Sequence, residues 1–140
     1  VELRGTMRFF KLDVRNLVER RMNEIATGIA QAMGCSADLH IEHNVLPVIN
    51  DPEVTGRVRN LFRQFVGDAG LNTAERTMGA EDVGLFMDDI PGTYFFLGAA
   101  VANQDTYYGH HHPKFDFNEA ALPLGVALLA AAVGHYLLVD

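Results

Sequence analysis

Hydrophobic and polar positions alternate through the first ten residues. Val1, Leu3, Met7 and Phe9 fall on one side of an extended chain, and Glu2, Arg4, Thr6 and Arg8 on the other. Successive side chains of a strand point to opposite faces, so the pattern predicts a half-buried strand. The period then lengthens. Val14, Leu17, Val18, Met22, Ile25, Ile29 and Met33 recur at helical intervals, with Asp13 placed to cap the start and Gly34 to end the run. Alternation returns at Ala37, Leu39 and Ile41, set against Asp38, His40 and Glu42. Residues 1–44 read as β-α-β.

The pattern changes in kind after "VLPVIN". Asp51 is placed to cap a helix, Pro52 takes its first position, and Glu53 favours the positive end of its dipole. Val54, Val58, Leu61, Phe62, Phe65 and Val66 share one helical face, which Gly67 ends. "TMGAEDVGLFMDDI" contains a short helix predicted over Ala80–Met87. "GTYFFLGAA" is an unbroken apolar run, the pattern of a strand covered on both faces. A loop is expected over 100–117, and Asn118 is placed to cap a last helix. Loops of this length are uncommon inside compact domains and often functional. The change from half-polar to fully apolar strands puts a domain boundary near Leu46–Asp51.

Composition narrows the class. With 140 residues, 49% of them hydrophobic, the chain is long enough for one core. Its net charge is -7, and its 11 Lys and Arg are scattered, which leaves no basic stripe for a phosphate backbone. No nucleic-acid partner is expected. Cys35 is the single cysteine, so no disulfide forms within the chain and nothing points to an oxidising compartment. The chain opens on Val1 without the charged and apolar stretches of a signal peptide, and the missing initiator Met suggests that the natural product begins earlier. A cytoplasmic protein is expected. Ala120–Val139 has the length and apolar character of a membrane span, but Pro123, two glycines and His135 interrupt it. The expectation is a helix in a soluble core, with no membrane partner.

Chemistry concentrates in "YYGHHHPKFDFNEAALPLG", where three of the six histidines stand side by side. Imidazole is a common zinc ligand, and a catalytic metal needs at least three protein ligands and one open position. Consecutive side chains cannot all face one ion, so His110, His111 and His112 supply one or two ligands at most. By itself the triplet reads first as a solvated loop and only second as a source of metal ligands.

The words around it are more specific. "GTMRFF", "PVINDPEV", "TMGAED", "GTYFFLGA" and "HHPKFDFNEAALPLGVALL" follow one another along nearly the whole chain. Together they resemble the C-terminal part of the metal-dependent amidohydrolases that include hippurate hydrolase, N-acyl-amino-acid amidohydrolases and indole-acetyl-amino-acid hydrolases. The resemblance implies an α/β catalytic domain with a dinuclear metal site, interrupted by a smaller α+β lid or dimerisation domain. The fold class expected here is therefore an α/β catalytic-domain segment preceded by half of an α+β lid/dimerisation domain. Residues 1–46 correspond to the second half of the lid, and 47–140 to the last segment of the catalytic domain. The other metal ligands and the glutamate general base belong, on this resemblance, to a part of the catalytic domain that the chain does not contain.

Carried over residue by residue, the motif H-x-P-x-F makes His111 the metal ligand. His110 and His112 fall on neighbouring positions and point away or support the ligand from behind, while Phe115 and Phe117 pack the loop against the final helix. Glu81 and Asp82 match the family's "GAED", where a carboxylate positions substrate or merely caps a helix. Arg8 matches the arginine of "GTxRxF"; it binds a substrate carboxylate or is an ordinary exposed strand charge.

The implied cofactor is a divalent metal, zinc first, with Mn, Co or Ni as alternatives. The implied substrate is an N-acyl amino acid or short peptide, cleaved by metal-activated water, and the implied assembly is a homo-oligomer. The alternative function is a catalytically inactive, self-associating α/β module.

Overall fold

Helices form where the chain carries its own start and stop signals. The computed structural model describes residues 1–102 and 106–138. Among these, α1 spans Leu12–Ala32, α2 Pro52–Val66, α3 Val83–Met87 and α4 Ala121–Leu138, with a single 3-10 turn at Asp68–Gly70. The chain divides into two units, Val1–Asn50 with Ala74–Gly92, and Asp51–Thr73 with Thr93–Asp140.

In the first unit α1 starts earlier than expected. Lys11 holds the N-cap position with no side-chain bond, and Asp13 accepts only the Val14 N–H, 2.8 Å away, from within the first turn. Asp13 is therefore not the cap. The expected end is observed. Gly34 takes φ +70, its N–H reaches the Gln31 carbonyl, and the Cys35 N–H reaches the Ala30 carbonyl. This pair of reversed bonds satisfies the last carbonyls, and only a residue without Cβ adopts that φ freely. Ion pairs Arg15–Glu19 and Arg21–Glu24 run along α1, and the Glu19 carboxylate also lies 2.9 Å from His43 Nε2. The apolar face of α1 is present but uncovered: Leu17, Ile25, Ile29 and Met33 are all exposed. α3 lies close to the chain before α2. A Cβ on Gly84 would meet the Leu46 carbonyl oxygen at 2.5 Å, so only glycine permits this approach.

The second unit contains the core. Asp51 Oδ1 accepts the N–H groups of Glu53 and Val54, Pro52 opens the helix, and Gly67 closes it at φ +66. Each of these was expected. Among the described residues Val58 and Phe62 on α2 and Leu128 on α4 are the buried apolar ones, with Leu61, Phe95, Leu97 and Leu124 packed around them. Phe62 meets Phe95 edge-on at 4.9 Å between ring centres, the geometry that aromatic quadrupoles favour. Gly125 makes room for this packing, since a Cβ there would lie 2.9 Å from Leu97 Cδ2.

The predicted strands at 1–10, 36–44 and 92–100 are not formed: no strand is present among the described residues. The reason lies in what a strand requires. A helix bonds within itself, whereas a strand bonds only to a neighbour at the right register. "GTYFFLGAA" is also not covered on both faces; Phe95 and Leu97 meet the core while Phe96 is exposed.

The last helix is long and apolar enough to cross a membrane by length and composition. In the structure one stripe of it, centred on Leu128, enters the core, and Leu122, Val126, Leu129 and Val133 are exposed. Val139, the expected end of the apolar run, lies outside the described residues. Asn118 acts on the approach to α4: its Oδ1 accepts the Ala120 N–H and its carbonyl the Ala121 N–H.

Candidate functional site

The histidine loop belongs to the second unit, and its base is tied where Asn118 N–H donates to the Ala99 carbonyl at 2.8 Å. Positions 103–105 of the expected loop lie outside the described residues. Two turns follow each other at its tip. His112 N–H donates to the Gly109 carbonyl at 3.2 Å, and Phe115 N–H donates to the His112 carbonyl at 2.9 Å.

Each histidine of the triplet has a different setting. His110 meets the Phe115 ring edge-on at 4.9 Å. His112 stacks on Tyr108, with ring centres 4.3 Å apart and an interplanar angle of 15°. Its Nδ1 accepts the Lys114 N–H at 3.0 Å, and the Lys114 ammonium lies over the other aromatic partner, 5.7 Å from the Tyr108 ring centre. His111 alone has no hydrogen-bond or ring partner among the described residues, and it is exposed. It also has φ +67, as the one non-glycine residue in that region among those described. A left-handed backbone costs an L-residue about 1–2 kcal/mol, and histidine is among the types that tolerate it best.

Phe115 and Phe117 stack on one another at 6.2 Å and remain about two-fifths exposed, rather than being buried as loop-to-helix packing. His135 lines a shallow depression with Arg57, Asn60, Leu61 and Gln64.

The other two candidates belong to the first unit. Arg8 is exposed, and its Nη1 donates to the Met78 carbonyl at 3.0 Å. That bond ties "GTMRFF" to "TMGAED", two motifs 70 residues apart. Glu81 is half-buried, and its carbonyl accepts the Gly84 N–H at 3.3 Å. The capping alternative for the acidic pair is not observed: Asp82 stands at the N-cap of α3 and makes no side-chain cap bond. The structure thus joins Arg8 to the segment carrying Glu81, while His111 lies in the other unit.

The described residues contain no cluster of three or more His, Cys, Asp or Glu side chains arranged to hold a metal. His111 fits as a single donor, because its imidazole is exposed and both neighbours are engaged elsewhere. Sequence reading missed Tyr108 as a support of the loop; the signal was the four-residue step from its ring to the His112 imidazole.

The sequence profile of Peptidase family M20/M25/M40 matches residues 8–135. YhaA of Bacillus subtilis strain 168, whose name assigns it provisionally to the amidohydrolases, is 34% identical over 132 residues, covering 94% of this chain and 33% of that protein. N-acetyldiaminopimelate deacetylase of Streptococcus sanguinis strain SK36 is 34% identical over 125 residues, 89% of this chain and 32% of that enzyme. Thermostable carboxypeptidase 1 of Saccharolobus solfataricus is 33% identical over 133 residues, 92% and 33% respectively. The chain spans about a third of the length of the curated relatives it matches. No solved structure matches it significantly. With the profile running from Arg8 through the "TMGAED" segment and the histidine loop, this chain belongs to Peptidase family M20/M25/M40.

Proposed function

We propose that the chain is part of a metal-dependent amidohydrolase that cleaves the amide bond of N-acyl amino acids or short peptides. Residues 1–46 form the second half of its lid and 47–140 the last segment of its catalytic domain. The observation that carries the reading is the profile match over 8–135. The names of the deacetylase and carboxypeptidase relatives support an amide as the bond attacked.

In this reading His111 donates one imidazole to a divalent metal, zinc first among Zn, Mn, Co and Ni. The metal, when bound, supplies the Lewis acid and the low-pKa water of such hydrolases. The chain's own residues orient and recognise. Among the described residues Arg8 engages Met78 through Nη1, which leaves Nε and Nη2 for a substrate carboxylate. The Glu81 side chain, free of any cap, takes a place beside the substrate. The glutamate that accepts the water's proton comes from the part of the catalytic domain outside this chain.

The test is turnover of a panel of N-acyl amino acids by the complete enzyme and by the 140-residue chain. The complete enzyme is expected to hydrolyse at least one of them and to stop when a chelator is added. The chain alone is expected to do nothing above background, because a single donor cannot assemble the site. Chelator-sensitive turnover by the pure chain would refute the division of labour; no turnover by the complete enzyme on any amide would refute the function.

The same reading makes the protein a homo-oligomer. Exposed apolar residues along α1 favour burial against a second copy. Net charge of -7 opposes this weakly, since charges are screened beyond about 8–10 Å at ordinary salt. Sedimentation of dilute protein is expected to give a dimer or larger species. A monomer at every concentration would exclude it.

A further inference from the structure

We infer that His112 is a positioning residue, which locks His111 in its left-handed conformation through Nδ1. The sequence prepares the arrangement. In the turn Gly109–His112, closed by His112 N–H on the Gly109 carbonyl, His111 occupies the third place. A type II turn demands positive φ there and ordinarily recruits Gly or Asn. A histidine there carries the cost of a left-handed backbone, which contacts elsewhere in the loop can offset. The support comes from the next turn, His112–Phe115, which carries Pro113 at its second place, where the fixed φ of proline is favoured.

His112 is the hinge shared by both turns, and it is held four ways. Its N–H and carbonyl close one turn each, its Nδ1 accepts the Lys114 N–H at 3.0 Å, and its ring lies flat on Tyr108. Because Pro113 has no N–H, Lys114 is the first residue after His112 able to make that bond. The bond copies the turn in which an asparagine side chain accepts from the backbone two residues on. His111 has none of these contacts, so its ring is free to meet a ligand. The inference rests on the reading of His111 as the donor, but the lock itself does not.

Two substitutions isolate Nδ1. His112→Asn places Oδ1 near the position of Nδ1; His112→Gln moves its acceptor one bond further out. Both remove the stack on Tyr108. Labelled 140-residue chain is examined by NMR for the strong intraresidue HN–Hα cross-peak that positive φ gives His111, and for Lys114 amide exchange. The parent and His112→Asn are expected to keep the cross-peak. His112→Gln is expected to lose it and to speed Lys114 exchange about five- to tenfold. In the complete enzyme the Gln variant is expected to lose about 10–100-fold in kcat/KM, the usual cost of removing a residue behind a metal ligand, with the Asn variant within a few-fold of the parent.

Equal loss in both variants would assign the lock to the ring and overturn the role of Nδ1. Retention of the cross-peak in His112→Gln would overturn the lock altogether. Full activity in His111→Ala would instead remove the donor reading while leaving both NMR readouts untouched, so the two failures are distinguishable.

Discussion

Changing His111 to alanine is expected to abolish hydrolysis by the complete enzyme and to lower its metal content, while His110→Ala is tolerated. The two positions are adjacent in sequence and opposite in setting. His110 faces the Phe115 ring edge-on at 4.9 Å, so its removal loosens one aromatic contact on an exposed loop. His111 has its imidazole exposed and unengaged, carried by a backbone at φ +67. A donor lost from the metal removes geometry and charge compensation together. The expected loss therefore exceeds the roughly 10–100-fold that residues behind a ligand cost, whereas His110→Ala stays below that range. Metal analysis of the purified variants, beside hydrolysis of one N-acyl amino acid, decides the matter. Equal and mild effects of the two changes would refute the assignment of the ligand.

The largest effect on stability is expected at Phe62. Its side chain is only 6% exposed and meets Phe95 at 4.9 Å. Truncating a buried Phe to Ala costs about 3–5 kcal/mol, through lost transfer energy and the cavity left behind. Among its described residues the second unit has just Val58, Phe62 and Leu128 as buried apolar residues, so little else is available to absorb the loss. Domains are commonly stable by only about 5–15 kcal/mol, and Phe62→Ala should bring this unit to the edge of unfolding. Phe65 provides the control. It lies one turn on along α2 but is 49% exposed, and its change to Ala should cost within about 0.5 kcal/mol. Urea unfolding followed by helical circular dichroism measures both. Similar midpoints for the two variants would mean that α2 does not present its Phe62 face to the core.

Which parts of the fold were legible follows from how far each bond reaches. Asp51, Pro52 and Glu53 at the start of α2, Gly67 at its end and Gly34 after α1 all act on backbone groups a few residues away. Their roles were readable from spacing alone, and the structure places them as read. Asp13 was misread because Lys11 and Asp13 both lie near the start of α1, and the choice between them turns on side-chain geometry that spacing does not encode. At the site, the motif around Pro113 was legible as a pattern. The lock by His112 was not, because it depends on a stack and a hydrogen bond that arise only once two turns have formed.

The sequence by itself determined the helices, both caps of α2, the glycine stop of α1, the family and the identity of the motif residues, since these depend on local backbone bonding and on residue type at given spacings. Only the tertiary structure decided which apolar positions are buried. It chose Phe62 and Leu128 for the core and left the equally periodic face of α1 uncovered. It also decided that the alternating segments do not pair among the described residues. Alternation states which face of a strand would be buried, but a strand's hydrogen bonds belong to its neighbour, and no residue encodes a neighbour by itself.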